Sequence, residues 1–411
     1  MTAGRSSAPG VPTRPTSALT KRLNSVKLNP LYIGRFLKTT LSAEGVFSVH
    51  GSVTMRTVEW DVARGEVRLI DQRLLPGELR VVSYQDYRQV AEAIQTMVVR
   101  GAPAIGAAAA FGLALAARSS PAGDPDVLRS DLAAAAEQLR AARPTAANLS
   151  WALRRVLGAL GDVPLSGETR RDADRLRAAV LAEAQRLADE DVAINQRMAR
   201  HGAALIREGE TIIHHCNTGA LAAVDWGTAL GVIRMAHEQG KRPHVLVDET
   251  RPRLQGARLT AWELQQYGVS YEIITDNAAG YFLSRGQVDR VLVGADRMAA
   301  NGDFANKIGT YMLALAAYDN GVPFFPVVPT STVDLAIAEG TQIPIEERDP
   351  QEVLAIEVQG AQVAPPGAAA RNPAFDVTPN RLVTAIITEH GVIYPPFTLN
   401  LGKAALEMST S

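Results

Sequence analysis

The sequence predicts an α/β protein in which a small N-terminal β-plus-helical domain precedes a doubly wound parallel sheet. Two short β patterns, at residues 57–60 and 67–70, flank an Arg-Gly pair at 64–65 that is typical of a hairpin turn. Ala-rich helical sequence then continues to about Arg207. After Gly209, continuous apolar runs alternate with helical stretches. Such runs are typical of buried parallel strands, and their alternation predicts right-handed βαβ units.

The individual elements follow from the same patterns. Val90, Ile94, Met97 and Val98 recur at the spacing of one helix face, which predicts a helix from about Asp86. Breaks in the helical sequence are expected at residues 119–124, 143–144 and 161–167. The predicted parallel strands are residues 211–215, 244–247, 270–275, 290–294 and 324–328. The predicted helices of this second part are residues 220–238, 257–267, 277–284, 304–319 and, after a long loop at 341–374, 381–389.

A chain of 411 residues is too long for one ordinary core and is expected to divide. The first 43 residues hold seven Lys or Arg and no Asp or Glu, so they are interpreted as disordered, although a targeting peptide has the same composition. The predicted division is a basic extension at residues 1–50, a β cap with a helical domain at 51–207, a Rossmann-like catalytic domain at 208–402, and a C-terminal tail at 403–411.

Composition limits the function classes. A net charge of −1 gives no field that would attract nucleic acid or an anionic membrane. The longest uncharged run, residues 101–117, carries three glycines and a proline, so it predicts a loop and a buried helix. A single cysteine fits a reducing cytoplasm. No G-x-G-x-x-G follows the first strand of the sheet domain and no P-loop motif occurs, which disfavours dinucleotide and P-loop chemistry.

Cys216 is the only cysteine, so it belongs to no internal disulfide and no multi-cysteine metal site. It follows a predicted strand, at the end of the sheet where open α/β proteins bind ligands. It also precedes a predicted helix, whose N-terminus favours the reactive thiolate. The alternative is a buried structural thiol. The neighbouring His214-His215 pair predicts no metal, because adjacent strand residues point to opposite faces.

Asp296 ends the apolar run that begins at Arg290, at the same edge of the predicted sheet as Cys216. Partial burial of such a carboxylate raises its pKa and suits it to acid catalysis. The alternative is a helix-capping aspartate or an ion pair with Arg297. The spacing is consistent with either interpretation.

Several residues are candidates for binding an anion. Arg100, Gly101 and Ala102 join two predicted helices, and exposed N–H groups beside a guanidinium suit a phosphate. Arg143, before Pro144, is a further cation at a predicted helix start. In the sheet domain, Gln255 precedes one predicted helix, and Asn306 and Lys307 open another, where they would bind sugar hydroxyls and phosphate. Each is also consistent with an ordinary cap or surface group.

Six stretches, in the same order, resemble the methylthioribose-1-phosphate isomerase family of the translation initiation factor 2B alpha/beta/delta-like fold. They are RGAPAIG at 100–106, HCNTGALA at 215–222, DETRPRLQGARLTAWEL at 248–264, GADR at 294–297, NKIGT at 306–310 and NPAFDVTP at 372–379. The resemblance extends from about residue 53 to residue 397. It departs from the family in the N-terminal extension and at residues 359–370.

The resemblance implies an isomerase that converts 5-methylthio-D-ribose 1-phosphate to 5-methylthio-D-ribulose 1-phosphate in methionine salvage. It implies a cytoplasmic homodimer that binds a sugar phosphate and needs no cofactor. Asp296 would be the acid and proton shuttle. Cys216 would be the base of a cis-enediol route or a positioning thiol in a hydride shift. The family's substrate-binding positions fall on Arg100, Gly101, Ala102, Arg143, Gln255, Asn306 and Lys307.

Other functions stay open at this stage. A related isomerase would act on ribose 1,5-bisphosphate or 5-deoxyribose 1-phosphate, and the pocket for the sugar 5-substituent would decide between them. A regulatory subunit of the initiation factor 2B type would share the fold without the chemistry. A redox-sensing thiol is a third reading, although no resolving cysteine is present.

Overall fold

The structure is a computed structural model that describes residues 56–144 and 146–406. The predicted extension at residues 1–50 and the last part of the predicted tail, residues 407–411, lie outside these ranges. Within them, a small antiparallel sheet and a helical layer precede a parallel sheet. The predicted fold class is therefore confirmed.

The N-terminal sheet has the order β1-β2-β3, with every pair antiparallel. The strands are β1 (Val58–Asp61), β2 (Glu66–Ile70) and β3 (Val81–Tyr84). The hairpin between β1 and β2 is confirmed, and Gly65 in its turn has φ +65°. The helices that follow are α1 (Tyr87–Gln95), α2 (Ala102–Ser119), α3 (Pro125–Ala141), α4 (Ala147–Gly158) and α5 (Thr169–Ala203). The three predicted breaks between helices are confirmed.

Helix α2 is the centre of the helical layer. Its residues from Ala104 to Ala117 are all buried, as expected for a helix that is apolar on every side. It contacts α1, α3, α4 and α5, and the prevalence of alanine lets these helices approach closely. Among the described residues it is the one helix long and apolar enough to cross a membrane, but 78% of it is buried inside the protein. The predicted buried helix within residues 101–117 is confirmed.

The remaining elements form the sheet region. Its strands are β4 (Thr211–His214), β5 (His244–Asp248), β6 (Ser270–Ile274), β7 (Arg290–Val293), β8 (Arg297–Ala299), β9 (Phe304–Lys307), β10 (Phe324–Pro326), β11 (Val333–Asp334), β12 (Glu357–Val358), β13 (Ala361–Gln362), β14 (Phe375–Thr378), β15 (Ile386–Thr388) and β16 (Gly391–Ile393). Its helices are α6 (Ala229–Glu238), α7 (Ala261–Tyr267), α8 (Ala279–Ser284), α9 (Thr310–Asp319), α10 (Gln351–Leu354) and α11 (Phe397–Leu406). The predicted domain boundary at residue 207 falls between α5 and β4. The predicted boundary at residue 402 falls inside α11. The division into four parts stays a prediction.

Five strands form a parallel sheet of order β10-β7-β4-β5-β6. They coincide with the five predicted strands to within two residues at their ends. The chain runs from β4 outward to β6, then returns to the other side of β4 through β7 and β10. This reversal between β4 and β7 is the topological switch point at which open α/β sheets bind ligands.

A second sheet, of order β11-β8-β9-β14, corrects one predicted helix. Residues 304–307 were expected to begin a helix, but they form β9, which pairs antiparallel with both β8 and β14. The helix α9 begins only at Thr310, after Gly309 at φ +104°. The prediction was wrong because the partner β14 is distant in sequence, so its pairing leaves no local pattern.

The helix predicted at residues 381–389 is also absent. The structure has a short 3-10 helix at Asn380–Leu382 and then β15, which pairs with β16. The prediction was wrong because the run Ile386-Ile387-Thr388 is β-branched, and such residues favour a pleated strand over a helix. The predicted long loop at 341–374 contains only short elements, namely α10, β12, β13 and a 3-10 turn.

A buried ion pair joins the strands of the switch point at their amino ends. The Glu210 carboxylate, 4% exposed, accepts hydrogen bonds from Arg290 at the start of β7 and from Arg207. Burial alone would raise the pKa of Glu210, but the two guanidinium groups outweigh it and hold that pKa below its ordinary value. The folded state therefore favours the ionised carboxylate.

We expect Glu210→Ala to lower the free energy of unfolding at pH 7 by about 3 kcal/mol, because it leaves the Arg290 charge buried without its partner. Since the native pKa of Glu210 is lowered, the advantage of the wild type is complete above the ordinary pKa and is lost as the pH falls through the native pKa. Urea unfolding between pH 7 and pH 3 measures both effects.

Glu208→Ala is the matched control, because the Glu208–Arg242 pair is exposed at 63% and 77%. We expect it to change stability by less than about 0.5 kcal/mol. Equal effects of the two substitutions would contradict the assignment of a special role to Glu210.

Candidate active site

A cavity of about 360 Å³ lies at the carboxyl ends of β4 and β7, beside the switch point. Loops from both the helical layer and the sheet form its walls. Eight of the nine predicted site residues line it: Arg100, Gly101, Ala102, Arg143, Cys216, Gln255, Asp296 and Lys307. Residues far apart in the sequence therefore face one volume large enough for a small ligand.

Asn306 is the predicted site residue that does not line this cavity. It is 3% exposed, and its Nδ2 donates to Thr310 Oγ1 at 3.0 Å. It precedes Lys307 on β9, and adjacent strand residues point to opposite faces. Both residues lie on a strand and not at the helix start that the sequence predicts. A substrate contact of Asn306 stays a prediction.

The thiol does not lie at a helix N-terminus, so that part of the prediction was wrong. The helix expected from residue 220 begins at Ala229, after a 3-10 turn at Ala220–Ala222. The intervening loop folds back on itself, because the Thr228 N–H donates to Thr218 O at 2.8 Å. A Cβ at Gly227 would lie 2.2 Å from the Gly219 backbone, so this close approach requires glycine.

Cys216 has an unusual backbone conformation that its neighbours maintain. Its φ is +71°, which costs a non-glycine residue of order 1–3 kcal/mol. The Cys216 N–H donates to Thr250 Oγ1 at 2.9 Å, and Thr260 Oγ1 donates to the Cys216 carbonyl at 2.7 Å. Strain held in this way is typical of functional sites. It fixes the direction in which the thiol leaves the β4 strand.

Gln255 contacts the thiol directly, with its Nε2 donating to Cys216 Sγ at 3.4 Å. It precedes a π-helical turn, Gly256–Thr260, of the kind that often marks functional sites. A Cβ at Gly256 would lie 1.8 Å from Asp248 O, so only glycine allows this turn to approach the end of β5.

Asp296 lies just beyond β7, and its N–H donates to Ala305 O of β9 at 2.9 Å. Burial raises the pKa of its carboxyl group, and the positive charges of Lys307 and Arg100 oppose that rise. The alternative of an ion pair with Arg297 is not observed, since Arg297 instead approaches Asp334 at 3.8 Å. A carboxyl group with a raised pKa is suited to holding and releasing a proton.

Lys307 is 5% exposed and places its ammonium between protein and cavity. Its Nζ donates to Ala374 O at 2.5 Å and lies 4.4 Å from the centre of the Phe375 ring. Burial, together with the charge of Arg348, lowers the pKa of Lys307 to about 8. Its ammonium group therefore loses its proton more easily than an ordinary lysine does. A bound anion would stabilise the charged form.

The cavity has a large excess of positive charge. Its basic lining residues are Arg73, Arg100, Arg143, Arg253, Arg258, Arg297, Lys307 and Arg348, whereas its acidic ones are Asp296 and Glu346. Arg100 also reaches the thiol loop, because its guanidinium donates to Asn217 Oδ1 at 2.6 Å. Such a lining is suited to a ligand with a doubly charged phosphate.

Sequence reasoning missed part of this wall. Arg348, Ile343 and Phe375 line the cavity and come from, or directly follow, the long loop at 341–374. Arg348 lies over the Phe375 ring at 5.5 Å from its centre. The length of the loop was the available signal, because long loops in compact proteins often carry function.

The fold and the cavity define an α/β protein with a strongly basic cavity at a switch point, beside a thiol and a carboxyl group. The Initiation factor 2 subunit family matches residues 98–395. A methylthioribose-1-phosphate isomerase of Synechococcus sp. is 55% identical over 332 residues, which are 81% of this chain and 93% of that protein. The chain therefore belongs to the Initiation factor 2 subunit family and, within it, to the methylthioribose-1-phosphate isomerase family of enzymes.

Solved structures agree with this assignment. The 5-methylthioribose 1-phosphate isomerase of Pyrococcus horikoshii OT3 is 47% identical, with a TM-score of 0.79 over 87% of this chain and 97% of that one. The translation initiation factor eIF-2B subunit delta from A. fulgidus is 42% identical, with a TM-score of 0.75 over 86% of this chain and all of that one. The family resemblance seen in the sequence is confirmed.

We expect Thr250→Val to lower the free energy of unfolding by about 1–3 kcal/mol, because it leaves the buried Cys216 N–H without an acceptor. Urea unfolding measures the change. Thr96→Val is the control, since the exposed Thr96 hydroxyl donates to Glu92 O and Thr96 does not line the cavity; we expect a loss of less than about 0.5 kcal/mol there. Similar losses in both variants would contradict the claim that Thr250 holds the strained residue.

Proposed function

We propose that this protein converts 5-methylthio-D-ribose 1-phosphate to 5-methylthio-D-ribulose 1-phosphate in methionine salvage. One observation carries the proposal: Cys216 and Asp296 face the same strongly basic cavity. The names of the relatives support the substrate. We also propose that the protein acts in the cytoplasm as a homodimer and without a cofactor.

The phosphate would bind at the start of α2. Gly101 caps this 18-residue helix, and the first free backbone N–H groups of such a helix favour an anion. Arg100 and Arg143 line the same cavity and would complete the site. Pro103 lies in the first turn, where its missing N–H leaves the helix intact.

The substrate is closed as a furanose because its anomeric oxygen carries the phosphate. Asp296 would donate a proton to the ring oxygen, so that the bond between C1 and the ring oxygen breaks and leaves an open-chain oxocarbenium at C1 that still carries the phosphate. In a cis-enediol route, the Cys216 thiolate then removes the C2 proton, and the thiol so formed, after exchange with water, returns a proton to C1 while the C2 hydroxyl loses its proton to Asp296. In the alternative route, hydride moves from C2 to C1 and Asp296 takes the same hydroxyl proton. The raised pKa of Asp296 suits these transfers.

The apolar part of the cavity supports a methylthio substituent. Met97, Leu259 and Ile343 line the cavity along with the charged residues. An additional phosphate at the sugar 5-position would need cations of its own beyond those that hold the 1-phosphate. A 5-phosphate preferred over a 5-methylthio group in kinetic competition would contradict this substrate assignment.

We expect the wild type to isomerise the methylthio substrate, and Cys216→Ala and Asp296→Asn each to lower kcat by about 10²–10⁴-fold, as is usual for loss of an acid or base. Phosphorus NMR follows substrate and product directly. Arg371→Gln is the control, because Arg371 is 87% exposed and pairs with Glu347 outside the cavity.

Absence of turnover by folded wild type would overturn the proposal. That result would favour the second candidate function, a non-catalytic role. The 42% identity to an initiation factor subunit supports this candidate. With a substrate deuterated at C2, loss of deuterium to water shows the cis-enediol route, and its absence in Cys216→Ala assigns Cys216 as the base. Retention at C1 assigns a hydride shift and leaves Cys216 a positioning role.

We expect Arg143→Gln to raise KM by about 10–100-fold with a smaller change in kcat, because one charge-assisted contact to the phosphate is lost. Burial and the charge of Arg348 already lower the pKa of Arg143, so this guanidinium lies in a cavity that favours an anionic ligand. Steady-state kinetics at constant ionic strength measures the effect. An unchanged KM would place the phosphate elsewhere in the cavity.

A further inference from the structure

Two adjacent histidines at the end of β4 are both buried but have opposite surroundings. His214 Nδ1 lies 2.9 Å from Leu292 O of β7, and its Nε2 lies 3.3 Å from Thr218 Oγ1. The carbonyl accepts from Nδ1, so Nε2 can accept from the hydroxyl, and the ring is neutral. Burial lowers the pKa of His214 to about 4, which agrees with this neutral form.

His215 points to the other side and faces an acceptor at each ring nitrogen. Its Nδ1 lies 2.8 Å from Asp248 Oδ2, and its Nε2 lies 3.0 Å from the Ile308 carbonyl oxygen. Both nitrogens donate only when the ring is an imidazolium. Burial would lower the pKa of His215, but the Asp248 carboxylate outweighs it and raises that pKa to about 9.

The Asp248 carboxylate depends on His215 in turn. Asp248 is 1% exposed, and its Oδ1 has no hydrogen-bond partner among the residues that the structure describes. A buried carboxylate needs a compensating charge, and the imidazolium supplies it. The two groups therefore form one buried ion pair that connects the ends of β4 and β5.

The ring also connects two segments that carry cavity side chains. His215 directly precedes Cys216, whose thiol lines the cavity, while Ile308 directly follows Lys307, whose ammonium lines it. A Cβ at Gly309 would lie 3.0 Å from the ring carbon Cε1, so the ring packs against backbone there. The sequence raises His215 only as a candidate metal ligand, and the cavity lining does not include it.

We propose that His215, held between Asp248 and the Ile308 carbonyl, is a positioning residue that fixes the Cys216 thiol relative to Lys307. The inference rests on the proposed isomerase function for its kinetic consequences. Its structural part, a charged ring bridging two loops of the cavity, stands on the hydrogen bonds alone. A displacement of about 1 Å in such a site costs as much as about 10²-fold in rate.

A metal site is the competing explanation of the same cluster. His215, Asp248 and Asp276 each offer an atom within 4.8 Å of the others. However, the Asp276 oxygens accept the backbone N–H groups of Thr250 and Arg251, both at 2.7 Å. The His215 nitrogens are likewise occupied. Apart from Asp248 Oδ1, the atoms of this donor set are therefore committed to internal hydrogen bonds.

Other ionisable groups contribute to the charge around the ring. Those that interact with it or adjoin its contacts are Asp248, Asp276, Asp376, Cys216, Lys307 and His214. Of these, the three aspartates favour the imidazolium, and Asp248 has the direct contact. Replacing Asp248 alone should therefore shift the titration of His215 to lower pH.

The kinetic test compares His215→Asn with His214→Asn. The second variant is the control, because His214 is the neighbouring buried histidine and points to the opposite face of β4. We expect His215→Asn to lower kcat by about 10²-fold with KM changed less than threefold, whereas His214→Asn changes kcat by less than about threefold. Asp248→Asn, which keeps an acceptor and the shape, should lower kcat by about tenfold, more at pH 8 than at pH 6. Equal losses in the two histidine variants would show a merely structural role and overturn the inference.

A second readout is independent of turnover. Imidazole NMR of selectively labelled protein should show one buried histidine still protonated at pH 8, whose signal is lost in His215→Asn and titrates at lower pH in Asp248→Asn. Iodoacetamide labelling of the lone cysteine should change rate in both variants and not in His214→Asn. If wild type shows no turnover, the proposed function fails while these results still test His215. A neutral His215 at pH 7, or stoichiometric metal that is lost in Asp276→Asn, would overturn the inference.

Discussion

Parallel pairing of β4 with β7 is the constraint on which the rest of the site depends. The register pairs Ile212 with Arg290 and His214 with Leu292, so both strands end at the same edge of the sheet. The chain leaves this edge in opposite directions, and the gap between the two departing loops becomes the cavity. Cys216 and Asp296 line the same cavity because they lie just beyond these two strand ends.

Part of the positive charge of the cavity comes from the helical layer, which covers the loops that leave the sheet. The Arg100 loop approaches the thiol loop so closely that a Cβ at Gly101 would lie 2.3 Å from Ala222 O. The helical layer thus brings arginines to a site whose reactive groups come from the sheet. Partial burial raises the pKa of Asp296 and lowers that of Lys307 to about 8, so both groups are destabilised as ions before a ligand arrives. A phosphate dianion would relieve the repulsion among the cations, which couples binding to the protonation of both groups.

The second sheet gives Lys307 its place. β9 is paired on both sides, and Lys307 lies opposite Phe375 of β14 in the register. The ammonium therefore rests on an aromatic ring whose position is set by the same hydrogen bonds that set the lysine. The long loop before β14 supplies Arg348, whose guanidinium also lies over that ring, and so adds to the cavity wall. His215 joins this assembly to the thiol loop through the Ile308 carbonyl.

The sequence by itself determined the succession of N-terminal sheet, helical layer and parallel sheet, the five parallel strands, the buried helix α2 and eight of the side chains or backbone groups that line the cavity. These depend on apolar periodicity and on short motifs, which are local properties. The tertiary structure alone decided that β9 is a strand, that α6 begins at Ala229, and that His215 and Arg348 belong to the site. β9 and His215 depend on partners distant in the chain, namely β14 and Asp248. The start of α6 depends on the turn that Thr218 closes, and β15 pairs with the nearby β16, so its β-branched run was a local signal that the sequence did offer. Pairing energy between distant segments outweighs local helix propensity, and no local pattern records it.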